Sequence, residues 1–284
     1  MSNAIELKNV NKSFKKFKLE DVSFSLEAGY IMGFVGQNGA GKTTTIKLIL
    51  DMLKVDSGEI NIFGLDHRLY SSTIKEEIGV VMDQSYFVDE WTLDEVERAM
   101  SPFYSSWDRE KYKKLLADFG LDRNKKVKEL SRGMNMKLMI ATALSHNAKL
   151  LILDEPTSGL DPVARDELME MLREFVLDEE KSVLFSTHIT SDLEKIADYI
   201  TVIQNGKIYY SGQKDELMEK YVMVKGGVSL LNDEMKKELI GLREHSVGFD
   251  AIAEKTSIRR FKDIVTENVT LDEIIVRIEK ESKK

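Results

Sequence analysis

At 284 residues, with 42% apolar and 32% charged side chains, the chain is long enough to bury one large core or two. A net charge of −8 argues against a nucleic-acid partner, which needs a basic face, and the absence of cysteine excludes disulfides and thiolate metal sites. No apolar run approaches the roughly 18–20 residues that cross a bilayer, and no secretory segment opens the sequence.

In chain order, Ile5–Val10 and Val22–Leu26 alternate like strands around a solvated loop carrying Lys12, Lys15, Lys16 and Lys18. Tyr30–Val35 is an apolar strand, and Thr44–Leu50 reads as a helix. Asp56-Ser57-Gly58 is a turn before a short strand, Glu59–Phe63, that ends at Gly64. Ile78–Met82 is a compact apolar strand. From Leu93 to about Asn147 the pattern is helical, with Pro102 and Gly120 as breakers. Leu150–Leu153 and Ser182–Ser186 are further strands, and Pro162 follows Asp161 as a first helical residue follows its cap. Asn205-Gly206 between Tyr199–Gln204 and Lys207–Tyr210 predicts a tight hairpin. Beyond about Gln213, helices over Asn232–Ile240 and Leu271–Glu279 alternate with strands over Tyr221–Val224 and Val247–Ala253, enough for a small separate α+β unit.

Two patterns carry chemistry. Gly36-Gln37-Asn38-Gly39-Ala40-Gly41-Lys42-Thr43 fits G-x-x-x-x-G-K-[ST] between a strand and a helix opened by Thr44. In such a loop, amide N–H groups and the helix dipole hold triphosphate oxygens. Lys42 is expected on the β- and γ-phosphates and Thr43 on Mg²⁺. Downstream, Leu150-Leu151-Ile152-Leu153-Asp154-Glu155 is a buried strand ending in two carboxylates. A strand of this kind delivers its last residues to the sheet edge where the phosphate loop lies. Asp154 is then expected to hold Mg²⁺ opposite Thr43, and Glu155 to act as general base on the attacking water.

Four further segments complete an ordered series: Gln84 after the strand Ile78–Met82, Leu130-Ser131-Arg132-Gly133-Met134, Ser158-Gly159-Leu160-Asp161, and His188 after Thr187. In this order they resemble the Q-loop, LSGGQ signature, D-loop and switch histidine of the ATP-binding cassette (ABC) ATPases, over roughly Ile5–Gly212. The resemblance implies an α/β fold: a P-loop NTPase (RecA-like) core with an antiparallel β subdomain and an α-helical subdomain at about 86–147. It implies a cassette over 1–214, with 215–284 as a C-terminal accessory α+β domain.

The same resemblance implies residue roles. Ser131 and Gly133, with Asp161 in the D-loop, would act on a nucleotide held by a second cassette. His188 would donate to the γ-phosphate, and Gln84 would join the Mg²⁺ shell and sense a membrane partner. An aromatic would stack on adenine, with Phe14 aligning best and Phe17 next. Arg132 and Met134 stand where the family's commonest signature has Gly and Gln. The aromatic segment Ser85–Trp91 reads either as an interface anchor for a membrane subunit's coupling helix or as packing of the helical subdomain by Phe87 and Trp91.

These features imply an ATP- and Mg²⁺-dependent ATPase subunit of a membrane transporter, with an exporter-like signature, on the cytoplasmic face of the membrane through a permease. A second cassette is the expected partner, as a homodimer or, alternatively, a heterodimer. A soluble non-transport ABC ATPase is the alternative, disfavoured by a single uninterrupted acidic cassette. A purely regulatory nucleotide-binding module would not need Glu155, His188 and Gln84. Because every nucleotide motif precedes residue 213, the extension is expected to be dispensable for ATP chemistry.

Overall fold

The structure, a computed structural model, describes residues 3–281. β1 (Asn3–Ser13) and β2 (Lys18–Glu27) pair antiparallel, β2 alternating exposed and buried positions from Asp21 to Leu26. β3 (Ile31–Val35) is buried throughout and feeds the glycine loop, from which α1 (Lys42–Ile49) departs. β4 (Ser57–Ile62) and β5 (Leu65–Asp66) complete an antiparallel sheet in the order β2-β1-β4-β5. α2 (Ser71–Glu76) leads into β6 (Ile78–Val81).

α3 (Leu93–Met100), α4 (Arg109–Asp118) and α5 (Arg132–Leu144) form the helical subdomain. Each opens on a side-chain cap: Thr92 in a reciprocal pair with Glu95, Asp108 on the Lys111 N–H, and Ser131 on the Met134 N–H. Such caps satisfy first-turn donors and stabilise by roughly 1 kcal/mol each. Phe87 is buried and Trp91 packs on the same core, so these two rings pack the subdomain. Tyr86 and Val88 remain exposed.

β7 (Leu150–Asp154), α6 (Pro162–Phe175), β8 (Ser182–Thr187), α7 (Thr190–Ile196), β9 (Tyr199–Gln204) and β10 (Lys207–Gln213) follow. The second sheet runs β10-β9-β3-β8-β7-β6, parallel except for β10. β3, β7 and β8 are buried at every residue, so apolar side chains fill their middles, while Asp154 of β7 and Ser182, Ser186 and Thr187 of β8 are polar residues buried with them. The β9–β10 turn has Asn205 and Gly206 at φ +49° and +79°. A side chain at Gly206 would start 1.9 Å from the Lys18 carbonyl oxygen, so only glycine fits where this hairpin meets β2.

The chain then passes without a linker into α8 (Lys214–Lys220), β11 (Tyr221–Gly226), α9 (Asp233–Glu238), β12 (Ile240–His245), β13 (Gly248–Glu254), α10 (Lys255–Ile258), β14 (Val265–Glu267) and α11 (Leu271–Glu281). The four strands form an antiparallel sheet, β12-β13-β11-β14. The helix expected over Asn232–Ile240 stops at Glu238, because Ile240 opens a strand. The extension has a small apolar cluster of its own around Val224, Phe249 and Ala251. It is not set apart, however, because Leu217, Met223, Leu271, Ile274 and Ile278 belong to the cassette's main core. Polar contacts reinforce this seam: Thr190 Oγ1 donates to Asp272 Oδ1 at 2.7 Å, and the Leu271 N–H to Glu194 Oε1 at 2.6 Å.

Candidate active site

Parallel strands deliver their ends to one edge, and four adjacent strands do so here. The glycine loop follows β3, Gln84 follows β6, Asp154 ends β7, and His188 follows β8. The register sets Val35 beside Thr187, Asp154 beside Ser186 and Val81 beside Leu153.

Gly41 sits at φ +120°, and a Cβ there would fall 2.6 Å from Leu19 Cδ2, so the loop enters α1 by a path closed to other residues. Lys42 is only 5% exposed. Its Nζ donates to the Gly36 carbonyl at 2.6 Å and lies 3.1 Å from Glu155 Oε1. Thr44 is half-buried behind Thr43, while Asn38 and Gly39 face solvent and Ala40 is buried. The Gln37 amide points elsewhere, donating to Glu279 of α11 at 2.8 Å.

Asp154 is 1% exposed and accepts on both oxygens, from Thr43 Oγ1 at 2.7 Å and from Ser186 Oγ at 2.5 Å. Ser186 is the functional-site residue that sequence patterns missed. Its signal is a hydroxyl on a buried strand two residues before His188, legible only once the register is known. Glu155 adopts φ +53°, a conformation that costs a non-glycine residue on the order of 1 kcal/mol. Its N–H donates to the Ser186 carbonyl at 3.0 Å, and its Oε2 lies 2.7 Å from His188 Nδ1. A carboxylate only accepts, so the proton of that contact sits on Nδ1.

Among the described residues no group of three or more His, Cys, Asp or Glu side chains could hold a metal. One carboxylate beside one hydroxyl instead suits Mg²⁺, which binds through few protein oxygens and completes its shell with phosphate and water. The donor set fits that ion. Gln84 is exposed and lines the same groove as Thr43 and Asp154. Phe14, 44% exposed, shares a hollow of about 500 Å³ with Gly39 and Asn205. Phe17 packs against the core, leaving Phe14 the more available ring.

Ser131, Gly133 and Asp161 make up a second cluster. Ser131 Oγ accepts from the Met134 N–H at 3.2 Å. Asp161 Oδ1 accepts from the Val163 and Ala164 N–H groups at 3.0 Å each, and these donors, Ala164 first, hold its carboxyl below the ordinary range. A Cβ on Gly133 would lie 3.6 Å from Leu160 of the loop that carries Asp161.

A glycine loop, a buried aspartate beside a hydroxyl, and a glutamate–histidine pair on one sheet edge define a P-loop nucleotide hydrolase. Comparison with known proteins agrees. The family described as "ABC transporter" matches residues 19–158. The chain is 33% identical over 225 residues to an uncharacterised ABC transporter ATP-binding protein, YhcH, of Bacillus subtilis, covering 78% of this chain and 73% of that protein. It is 34% identical over 226 residues to the Nod factor export ATP-binding protein I of a Rhizobium species, covering 77% and 74%. A solved structure of an ATP-binding subunit of an ABC transporter superposes with a TM-score of 0.70 at 29% identity, covering 75% of this chain and 91% of that one. The chain belongs to the ATP-binding subunits of ABC transporters and is an ATPase.

Proposed function

We propose that this chain powers the export of a substrate through a separate permease by hydrolysing Mg²⁺-bound ATP between two head-to-tail cassettes. The observation that carries this reading is the carboxyl edge, where two pairs, Thr43 with Asp154 and His188 with Glu155, each form a hydrogen bond of 2.7 Å. Gly36–Thr44 bind the phosphates, Lys42 neutralises their charge, and Phe14 stacks on the base. Thr43, Asp154 and Gln84 would hold Mg²⁺, which would supply charge neutralisation on the phosphate oxygens. Glu155 takes the proton of the attacking water, and His188 fixes the direction of that carboxylate while donating toward the γ-phosphate. Ser131, Gly133 and Asp161 serve the nucleotide of the second chain.

Membrane coupling has a surface to match. No helix among the described residues is long and apolar enough to cross a bilayer. A groove of about 1040 Å³ lies against the Q-loop, lined by Gln84, Tyr86, Met100 and Phe103, with Phe103 73% exposed. An apolar ridge from a permease fits it, and the exported cargo of the Rhizobium relative supports the direction of transport. Purified chain should release phosphate only with Mg²⁺, and Glu155→Gln should stop it. Phe103→Asp should keep turnover yet lose the membrane protein that co-purifies from the native host. A permease retained by that variant would move the docking surface elsewhere.

A further inference from the structure

Arg132 is the position where this signature departs from its commonest form, and the structure shows what the side chain reaches. Its Nη2 donates to Asp83 Oδ1 at 2.5 Å and to Ser158 Oγ at 2.9 Å. Its stem crosses Gly159, where a Cβ would lie 2.9 Å from Arg132 Cδ. One guanidinium therefore ties together three segments that the sequence separates by 49 and 26 residues. Asp83 immediately precedes Gln84 and lines the groove shared with Thr43 and Asp154. Ser158 opens the loop that ends in Asp161, and Ser131 and Gly133 flank Arg132 itself.

We propose that Arg132 is a positioning residue that couples the chain's own nucleotide loop to the surface it presents to a second chain. The proposal rests on the head-to-tail reading above. Asp83 and Gln84 belong to the loop beside this chain's Thr43–Asp154 pair. Ser131, Gly133 and Asp161 act across the dimer. A displacement of Gln84 on nucleotide binding pulls on Asp83, and through Arg132 on both trans-acting loops at once. A glycine here would leave only backbone and packing between them. The ion pair is 56% and 44% exposed at its two ends, so solvent screens it and it adds little to the stability of the fold. Its consequence is geometric.

The test is the ATP dependence of hydrolysis by the full chain. With two coupled sites the parent should show a Hill coefficient approaching about 2. Arg132→Ala should bring it to about 1 and lower kcat roughly tenfold, with the affinity of the monomer for a fluorescent ATP analogue unchanged within about twofold. Asp83→Asn, nearly isosteric and safe for folding, should reproduce the loss of cooperativity. The double variant should be no worse than either single one, because both remove the same link. Arg132→Lys, which keeps a cation within reach of Asp83, should restore part of the cooperativity. A sigmoidal parent with an equally sigmoidal and equally fast Arg132→Ala, or additive losses in the double variant, would overturn the coupling role alone. A hyperbolic parent that stays monomeric with ATP bound would overturn the head-to-tail reading beneath it.

Discussion

The two faces of the nucleotide machinery are built to different standards. On the phosphate-loop face, Lys42, Thr45, Asp154 and Ser186 are buried and bonded to one another or to backbone. On the signature face, Ser131 and Arg132 are exposed and held by one helix cap and by the exposed bonds of Arg132 to Asp83 and Ser158. On the proposed head-to-tail reading, the difference follows from where each face works. Groups that meet ligand within their own chain can be preorganised by a core, since their geometry is fixed at folding. Groups that meet ligand across an interface must stay accessible until a second chain arrives.

Substitutions on the buried face should therefore do the most damage. On the proposed reading Lys42→Ala removes the charge opposite the β/γ oxygens, and it should slow phosphate release on the order of 10²–10³-fold. An unchanged rate would mean that this loop does not hold the reacting phosphate. Asp154→Asn should raise the Mg²⁺ needed for half-maximal activity roughly tenfold or more, while nucleotide binding itself moves less. Ser186→Ala leaves one Asp154 oxygen without its donor, worth about 1 kcal/mol, and should shift the same titration about fivefold. If Ser186→Ala titrates like the parent, Asp154 is oriented by Thr43 and the metal alone.

A chain ending at Gln213 probes a different seam. Leu271, Ile274 and Ile278 are fully buried against the cassette, and each such side chain stabilises by roughly 1.5–3 kcal/mol. The truncated protein should melt about 10 °C or more lower but still hydrolyse ATP where it stays folded. A folded truncation without turnover would show that α11, through Glu279 and Gln37, helps to set the phosphate loop.

The smallest effect expected is on pH dependence. Burial holds the His67 and His146 imidazoles below their ordinary value of 6.5. The unfolded chain then takes up those protons first, so their contribution to stability is complete above about 6.5. It declines as pH falls from there toward the lowered folded values. Melting temperatures flat between about pH 7 and 5 would contradict this sign.

The sequence disclosed the buried face well because its signals are local. Consecutive apolar residues marked β3 and β7, the shorter run Val183–Phe185 marked β8, and fixed offsets marked Lys42, Thr43, Asp154 and Glu155. Ser186 escaped because its bond to Asp154 depends on the register of two parallel strands 32 residues apart. The extension was only partly legible. β14 is exposed at every residue and owes its form to pairing with β11, so no buried-face alternation announces it. The docking of α11 on α7 is likewise tertiary, as is the burial of Phe87, whose aromatic neighbourhood reads equally well as an exposed anchor. Arg132 was visible as a departure, but its partners in two distant loops were not.

Head-to-tail assembly requires each chain to supply half of each reaction site. Glu155→Gln keeps the shape of the side chain and removes its basicity, so bound ATP should persist and hold two chains together. Sedimentation velocity of this variant should show a monomer with ADP and a dimer with ATP and Mg²⁺. A variant that binds ATP yet sediments as a monomer at high concentration would contradict a self-sufficient homodimer.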